Sequence, residues 1–195
     1  MFWYDLIDLS KIEYLERFSV GVVGSRMIVE LLWRMGVGCI RYVGDFITPN
    51  DVRLDVSLSK LDANDYDVVH PIDETNVISY LYLDEEELKR QLRGVDVIIA
   101  HKHVEASANI AERIGVPFIP NFITTFLPDG ISFFDVERPR IDLDPLSYSL
   151  TCTLQACEIL RLLTGYEMPI IAPKAILVDL RRKEYLRLVE LKVND

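Results

Sequence analysis

The sequence has few cysteines and no cysteine motif. Three occur in 195 residues, Cys39, Cys152 and Cys157, and no two form a Cys-x-x-Cys pair. An odd and sparse set argues against a disulfide framework and against a four-thiolate zinc site. Because free cysteine is commonly buried as a small apolar residue, we expect all three in the core.

Long apolar runs and an excess of basic residues are also lacking. No segment approaches the ~20 apolar residues that span a bilayer. The opening stretch, MFWYDLIDLSKIEYLERF, carries acids early and lacks the basic start and apolar centre of a signal peptide. With 21 Lys and Arg against 31 Asp and Glu, the formal net charge of −10 argues against a nucleic-acid groove built on bulk charge. These absences predict a cytoplasmic protein with no membrane or nucleic-acid partner.

The composition is that of an ordinary globular protein, with 50% hydrophobic and 27% charged residues. A length of 195 residues suits one domain, and no repeat, low-complexity stretch or linker divides it. We therefore expect a single domain over 1–195. Its N-terminal amphipathic segment, 1–17, is expected to pack on a neighbouring surface, with exchange between the two copies of a dimer as one use.

A strand, a turn, a helix and a second strand follow one another at the start of the sequence. The apolar run 18–23 suits a strand buried on both faces. An apolar stripe then predicts a helix over 27–35, and two glycines end it before a second strand over 39–43. This order is a βαβ unit, which builds parallel sheets with right-handed crossovers.

Later elements continue the alternation. We expect strands over 76–83, 95–100, 117–122 and 130–136, helices over 84–93, 104–114 and 149–164, and a final strand pair over 174–180 and 185–193. Short apolar strands alternating with helices predict an α/β fold, a Rossmann-like, doubly wound and mainly parallel sheet with a C-terminal antiparallel hairpin. In such a sheet ligands bind beyond the carboxyl ends of the strands, so the loops after each strand hold the candidate site residues.

The loop after the first strand contains Gly24, Ser25 and Arg26 and leads into a helix. Backbone N–H groups at a helix start attract anions, and an arginine there can grip phosphate. A plain tight turn explains the loop equally well. The glycines, at positions 21 and 24, do not form the Gly-x-Gly-x-x-Gly fingerprint of dinucleotide binding, which disfavours an NAD-dependent oxidoreductase.

The second strand is followed by Asp45, and then by Arg53 and Lys60. An acid at the end of this strand commonly holds a ribose hydroxyl, because a carboxylate accepts two hydrogen bonds. A loop aspartate that caps the next turn is the alternative. The two bases are within reach of the same crevice, although each alone is more typical of a solvated surface.

The strand that ends at position 100 is followed by His101, Lys102 and His103, which include two of the three histidines in the sequence. On an extended backbone the two imidazoles point to the same side, where they can hold a metal or a phosphate, with Lys102 opposite unless the chain turns there. Capping of the following helix is the alternative. Asn121 lies in the polar turn after the next strand, as a neutral donor and acceptor suited to a base or a carboxylate.

Three stretches together resemble the ThiF/MoeB/HesA adenylyltransferases and the related ubiquitin-activating enzymes. The first stretch runs from VGVVG through the helix that ends in WRMGVG to CIRYVGDFITPNDVR. The second is VDVIIAHKHVEASANIAERIGVPFIPNFITTFLPDGISFFDV. The third is TCTLQACEILRLLTGYEMPIIAPKAILVDLRRKEYLRLVEL. The resemblance covers nearly the whole chain. It implies a homodimer that binds ATP with magnesium and lets a carboxylate attack the α-phosphate, giving an acyl-adenylate and pyrophosphate.

The resemblance also implies roles for particular residues. Gly24 matches the start of the family's glycine-rich loop, Asp45 the ribose-binding acid, and Arg53 the arginine that reaches the phosphates. Lys60 roughly matches a lysine further along. We expect Lys102 to neutralise phosphate charge beside Arg53 and Lys60, with His101 and His103 facing the transferred group.

Several family features are absent. The glycine-rich loop is short, the family's magnesium-binding aspartate falls at His103, and the zinc cysteine pairs and transfer cysteine are missing. The metal site is therefore expected to be altered or lost, and a carrier-protein substrate is disfavoured. A small relative with these losses is similar to the HcgE-type guanylylpyridinol adenylyltransferases of iron-guanylylpyridinol cofactor biosynthesis in methanogenic archaea. That resemblance implies a guanylylpyridinol carboxylate as substrate and a partner enzyme that forms a thioester. The alternative is a non-catalytic relative that serves as a dimerisation or delivery partner.

Overall fold

A computed structural model describes residues 14–44 and 77–194 of the chain. Its main sheet has five parallel strands, with bounds β1 Ser19–Val23, β2 Cys39–Gly44, β3 Val77–Leu81, β4 Val97–Ala100 and β5 Phe118–Ile119. The strand order is β3-β2-β1-β4-β5. The chain thus moves outward from β1 in one direction, returns, and continues in the other, so the order reverses between β1 and β4. The predicted doubly wound α/β sheet is confirmed.

Within residues 14–44 and 77–194, four helices cover both faces of this sheet. Their bounds are α1 Arg26–Arg34, α2 Glu85–Gln91, α3 Val104–Ile114 and α4 Pro145–Thr164. Apolar side chains of α1 and α4 pack with Val20, Val22 and Ile99 in one buried cluster. Those of α2 and α3 pack with Val23 and Ile98 in a second cluster, on the opposite face. Strands β1 and β4 are buried on both faces, which explains why their sequences are nearly continuous apolar runs.

The predicted C-terminal hairpin is present as a separate two-stranded sheet. Strands β6 Lys174–Val178 and β7 Leu186–Glu190 pair antiparallel, with Lys174 opposite Glu190. An isolated bridge between Ile123 and Ile176 ties the hairpin to the segment that follows β5.

The expected strand over 130–136 is wrong. A short 3-10 helix, Phe133–Asp135, stands there, and the hydroxyl of Ser132 accepts a hydrogen bond from the N–H of Phe134 at its start. Phe133 inserts edge-on against Phe118 and Phe126, with ring centroids 5.3 and 5.4 Å away. An apolar, β-prone stretch is thus buried through the side chains of Phe133 and Val136 and not through a strand face.

The helix expected over 149–164 begins four residues earlier, at Pro145. Asp144 is its N-cap, and its carboxylate accepts hydrogen bonds from the N–H groups of Leu146 and Ser147. Proline suits the first helical position because its missing N–H would be unpaired there. Gly165 ends the helix in the left-handed conformation, as its position in the sequence predicts.

Cys152 is buried, while Cys39 and Cys157 are partly buried, and all three are free thiols. None of the helices in 14–44 and 77–194 is both long and apolar enough to cross a membrane. The expected N-terminal segment, 1–17, lies mostly outside the described residues, and its exchange in a dimer stays a prediction.

Candidate functional site

The candidate site lies where β1 and β4 end side by side. Val23 is in register with Ala100, so the residues that follow them, Gly24 and His101, meet at the carboxyl edge of the sheet. The N–H of His101 donates to the carbonyl of Val23 at 2.9 Å, and that of Gly24 to the carbonyl of Val43 at 2.8 Å. This edge lies where the strand order reverses, the usual ligand position in open α/β sheets.

Gly24 allows the two loops to approach closely. A Cβ atom added there would lie 2.5 Å from the Cβ of Lys102 and 2.6 Å from its Cγ. The backbone φ of Gly24 is +78°, which L-residues with a side chain rarely adopt. A glycine is therefore required for the backbone after β1 to pass against Lys102.

A cavity of about 380 Å³ opens at this junction, which we call the junction cavity. Polar and charged groups from three loops and from α4 line it together with two apolar side chains. The lining residues are Gly24, His101, Lys102, Asn121, Ile141, Leu143 and Tyr148. Four of the predicted site residues, Gly24, His101, Lys102 and Asn121, therefore come together around one cavity.

A second cavity of about 440 Å³ adjoins it, and Asn121 lines both. We call it the outer cavity. His103 and the first turn of α3 form one wall, and Phe122, Phe133 and Arg138 form another. Arg138 forms an ion pair with Glu105 and lies over the ring of Phe133, 5.3 Å from its centroid.

His101 and His103 do not face one space. His103 has a left-handed backbone conformation, with φ 48° and ψ 40°, so the chain turns at this point. Its ring stacks on Tyr82 at 3.6 Å between centroids, with 10° between the planes. The expectation that both imidazoles point to the same side is therefore wrong. His103 makes no side-chain hydrogen bond to the start of α3, so capping does not explain it.

The hydroxyl of Ser25 is buried and already bonded. It caps α1 by accepting from the N–H of Ile28 at 3.4 Å, and it lies 2.8 Å from the hydroxyl of Tyr148. Burial raises the pKa of Tyr148 to about 12, so the phenol keeps its proton at neutral pH. Ser25 thus fixes the start of α1 against α4, and Arg26 is the first residue of that helix.

His101 is held by Gln155 of α4. The Nε2 atom of His101 lies 2.7 Å from Oε1 of Gln155, and the imidazole meets the ring of Tyr148 edge-on at 5.2 Å. Burial lowers the pKa of His101, and the hydrogen bond to Gln155 opposes this effect in part. The imidazole is therefore neutral at neutral pH.

Three predicted site residues, Asp45, Arg53 and Lys60, lie outside the described residues. Within 14–44 and 77–194, no group of three or more His, Cys, Asp or Glu side chains could hold a metal ion.

Helix α4 and the segment before it also contribute to the site, which the sequence did not predict. Tyr148, Gln155, Ile141 and Leu143 all lie at or next to the site but are far from His101 in the sequence. A signal was present in Gln155, a lone amide within the apolar stretch LQACEIL. A buried amide of this kind needs hydrogen-bond partners, which a loop at the sheet edge supplies.

Several crystal structures resemble this chain. PaaA aligns over 95% of this chain and 68% of its own, with 20% identity and a TM-score of 0.62. MccB of E. coli, determined with ATP, aligns over 95% of this chain and 67% of its own, with 13% identity and a TM-score of 0.69. MccB determined with MccA aligns over 96% of this chain and 67% of its own, with 14% identity and a TM-score of 0.68. The chain shares their fold. No protein-family model and no curated protein matches the sequence.

Proposed function

We propose that this protein is an ATP-dependent adenylyltransferase that activates a small-molecule carboxylate as an acyl-adenylate. The observation that carries the proposal is the junction cavity, which lies where the strand order reverses. There the backbone of Gly24 packs closely against the side chain of Lys102. The chain also shares its fold with MccB, whose crystal structure has been determined with ATP, and this likeness supports the same assignment.

The proposed reaction needs positioning and charge neutralisation more than covalent work by the protein. A substrate carboxylate oxygen attacks the α-phosphorus of ATP and forms a new P–O bond. The bond from that phosphorus to the bridging oxygen breaks, and pyrophosphate leaves with its electrons. Negative charge grows on the phosphate oxygens during this step, so a nearby cation lowers the barrier.

In this proposal Lys102 supplies the positive charge at the junction cavity, and Arg26 supplies another at the start of α1. The N-terminus of α1, which follows Gly24 and Ser25, adds the partial positive charge of a helix start. Asn121 lies between the two cavities and can hydrogen-bond either reactant. His103 faces the outer cavity, where it contacts the departing or transferred group. Asp45 remains the proposed ribose ligand, with Arg53 and Lys60 as further phosphate contacts.

A protein-bound magnesium ion does not fit the described part of the site. Mg²⁺ prefers hard oxygen ligands, carboxylates above all. The side chains that line the junction cavity include two nitrogen bases, an amide and a phenol, and no carboxylate. We therefore derive no step through a metal held by these residues.

The finer assignment follows from the sequence resemblance. We propose guanylylpyridinol, an intermediate in the assembly of the Fe-hydrogenase cofactor, as the carboxylate substrate. The protein would then act as a homodimer and pass the adenylate to a partner enzyme that forms a thioester. The junction cavity presents polar side chains, among them Asn121, beside the apolar Ile141 and Leu143, and this mixture is compatible with a heterocyclic acid.

The reaction is tested by exchange of labelled pyrophosphate into ATP in the presence of guanylylpyridinol and a set of other small carboxylates. We expect exchange that depends on the correct acid, and a loss of roughly tenfold to hundredfold in Lys102→Met, because one charge-assisted phosphate contact is removed. Methionine keeps the stem that packs on Gly24. Lys183→Met, an exposed lysine in the turn between β6 and β7, is the matched control. Binding of ATP without exchange for any acid would favour the non-catalytic delivery partner instead.

A further inference from the structure

The orientation of the Gln155 side chain is fixed by its neighbours. Its Nε2 atom lies 2.6 Å from the carbonyl oxygen of Pro120 and 3.3 Å from that of Phe122. Backbone carbonyls only accept hydrogen bonds, so the NH₂ group must face them and use its two protons there. The Oε1 atom is therefore the one that faces His101. Gln155 is fully buried, which makes any other arrangement costly.

This orientation determines the tautomer of His101. Because Oε1 of Gln155 only accepts, the Nε2 atom of His101, 2.7 Å away, must carry a proton. A neutral imidazole has one proton, so its Nδ1 atom carries a lone pair instead. Nδ1 has no hydrogen-bond partner among residues 14–44 and 77–194, and His101 lines the junction cavity. Among the described residues, His101 thus brings to the cavity lining one hydrogen-bond acceptor without a partner.

We propose that His101 is a specificity-determining hydrogen-bond acceptor fixed by Gln155, and that the carboxylate substrate carries an O–H or N–H group that donates to its Nδ1 atom. The inference rests on the proposed function and narrows its substrate class. A bare ring nitrogen repels phosphate and carboxylate oxygens, so this role replaces the expected contact of His101 with the nucleotide. Gln155 is a positioning residue.

The strand order assigns the donor to the acid and not to the ribose of ATP. The proposed ribose ligand, Asp45, follows strand β2 in the sequence. Strand β2 lies on one side of β1. Strands β4 and β5, which lead into His101 and Asn121, lie on the other side. With the phosphates at Gly24 in the middle, the ribose and the acid occupy opposite sides, and His101 is on the side of the acid.

The tautomer is tested by long-range proton–nitrogen correlation spectra of the full chain with isotope-labelled histidine near neutral pH. His101→Asn assigns the signals among the three histidines. We expect a protonated Nε2 and an unprotonated Nδ1 in the wild type. Gln155→Met removes the acceptor, so the His101 signals should shift towards the average of two tautomers. If that variant does not fold, the wild-type spectrum alone decides, and a protonated Nδ1 overturns the proposal.

The ligand class is tested with matched acids that differ in one donor. The pairs are pyrrole carboxylate against furan carboxylate, and meta-hydroxybenzoate against benzoate. We expect the donor-bearing acid of a pair to move the Nδ1 signal and its analogue to leave it unchanged. His101→Phe keeps the ring beside Tyr148 and should weaken only the donor-bearing acid, by roughly three- to tenfold. A purely structural role would weaken both acids equally. An Nδ1 signal that no acid moves contradicts the proposal.

A parallel titration with ATP and dideoxy-ATP separates the two sources of a donor. A movement of Nδ1 that needs the ribose hydroxyls would assign His101 to the nucleotide and overturn the substrate assignment. The test is also independent of the parent proposal. Absence of ATP binding refutes the adenylyltransferase, whereas a wrong tautomer or an unresponsive Nδ1 refutes only the role of His101.

Discussion

At the scale of single residues, the site depends on one close approach, that of Gly24 to Lys102. We expect Gly24→Ala to destabilise the fold by more than the ~1–2 kcal/mol that a left-handed alanine costs, because the new Cβ overlaps the Lys102 side chain. It should also weaken ATP binding, since Lys102 must move. Chemical denaturation and a nucleotide titration of the same preparation measure the two effects.

Gly94→Ala is the matched control for this change. Gly94 has nearly the same backbone conformation, φ +79°, but a Cβ there meets no atom within 4 Å. It should show the backbone cost alone and leave ATP affinity unchanged. Equal losses of stability in the two variants, with unchanged nucleotide affinity in both, would show that the contact between Gly24 and Lys102 does not matter to the site.

At the scale of elements, the start of α1 is joined to the first turn of α4 through the contact between Ser25 and Tyr148. Ser25→Ala removes the N-cap and leaves the Tyr148 hydroxyl without its partner, so we expect a loss of about 1–2 kcal/mol in the free energy of unfolding. Ser149→Ala in α4 is the control, because among the described residues that hydroxyl bonds only to the carbonyl of Pro145 in its own helix. Urea denaturation measures the free energy of unfolding of both variants, and equal m-values make the two free energies comparable. A Ser25 variant as stable as the Ser149 variant would mean that the cap contributes nothing.

The elements themselves could largely be predicted from the sequence. Apolar runs bounded by glycine located β1, α1 and β2, because burial on both faces leaves a local pattern. A strand is wrongly predicted over 130–136 because the apolar content of this stretch is typical of a strand. The position of Phe133 is instead set by contacts with aromatic rings that are distant in the sequence. Helix α4 begins four residues earlier than predicted because Asp144 caps it and Pro145 suits its first position.

At the scale of the whole molecule, the site combines loops that the chain visits far apart in sequence. The rule that ligands bind after parallel strands was enough to select Gly24, His101 and Lys102, and the structure places them around one cavity. It could not select Gln155 or Tyr148, because they approach the sheet edge from a helix that packs across it. Nor could it show that His103 turns away, since that depends on a left-handed backbone at one residue.

The central claim is that ATP binds at the junction of β1 and β4, and calorimetric titration with ATP tests it most directly. We predict saturable binding by the wild-type protein and by Lys183→Met, and a loss of roughly tenfold or more in Lys102→Met. Arg53→Ala, titrated alongside, reports on the phosphate contact expected outside the described residues. Absence of ATP binding to the wild-type protein, with and without magnesium, would contradict the account. Equal binding by both lysine variants would place the nucleotide elsewhere.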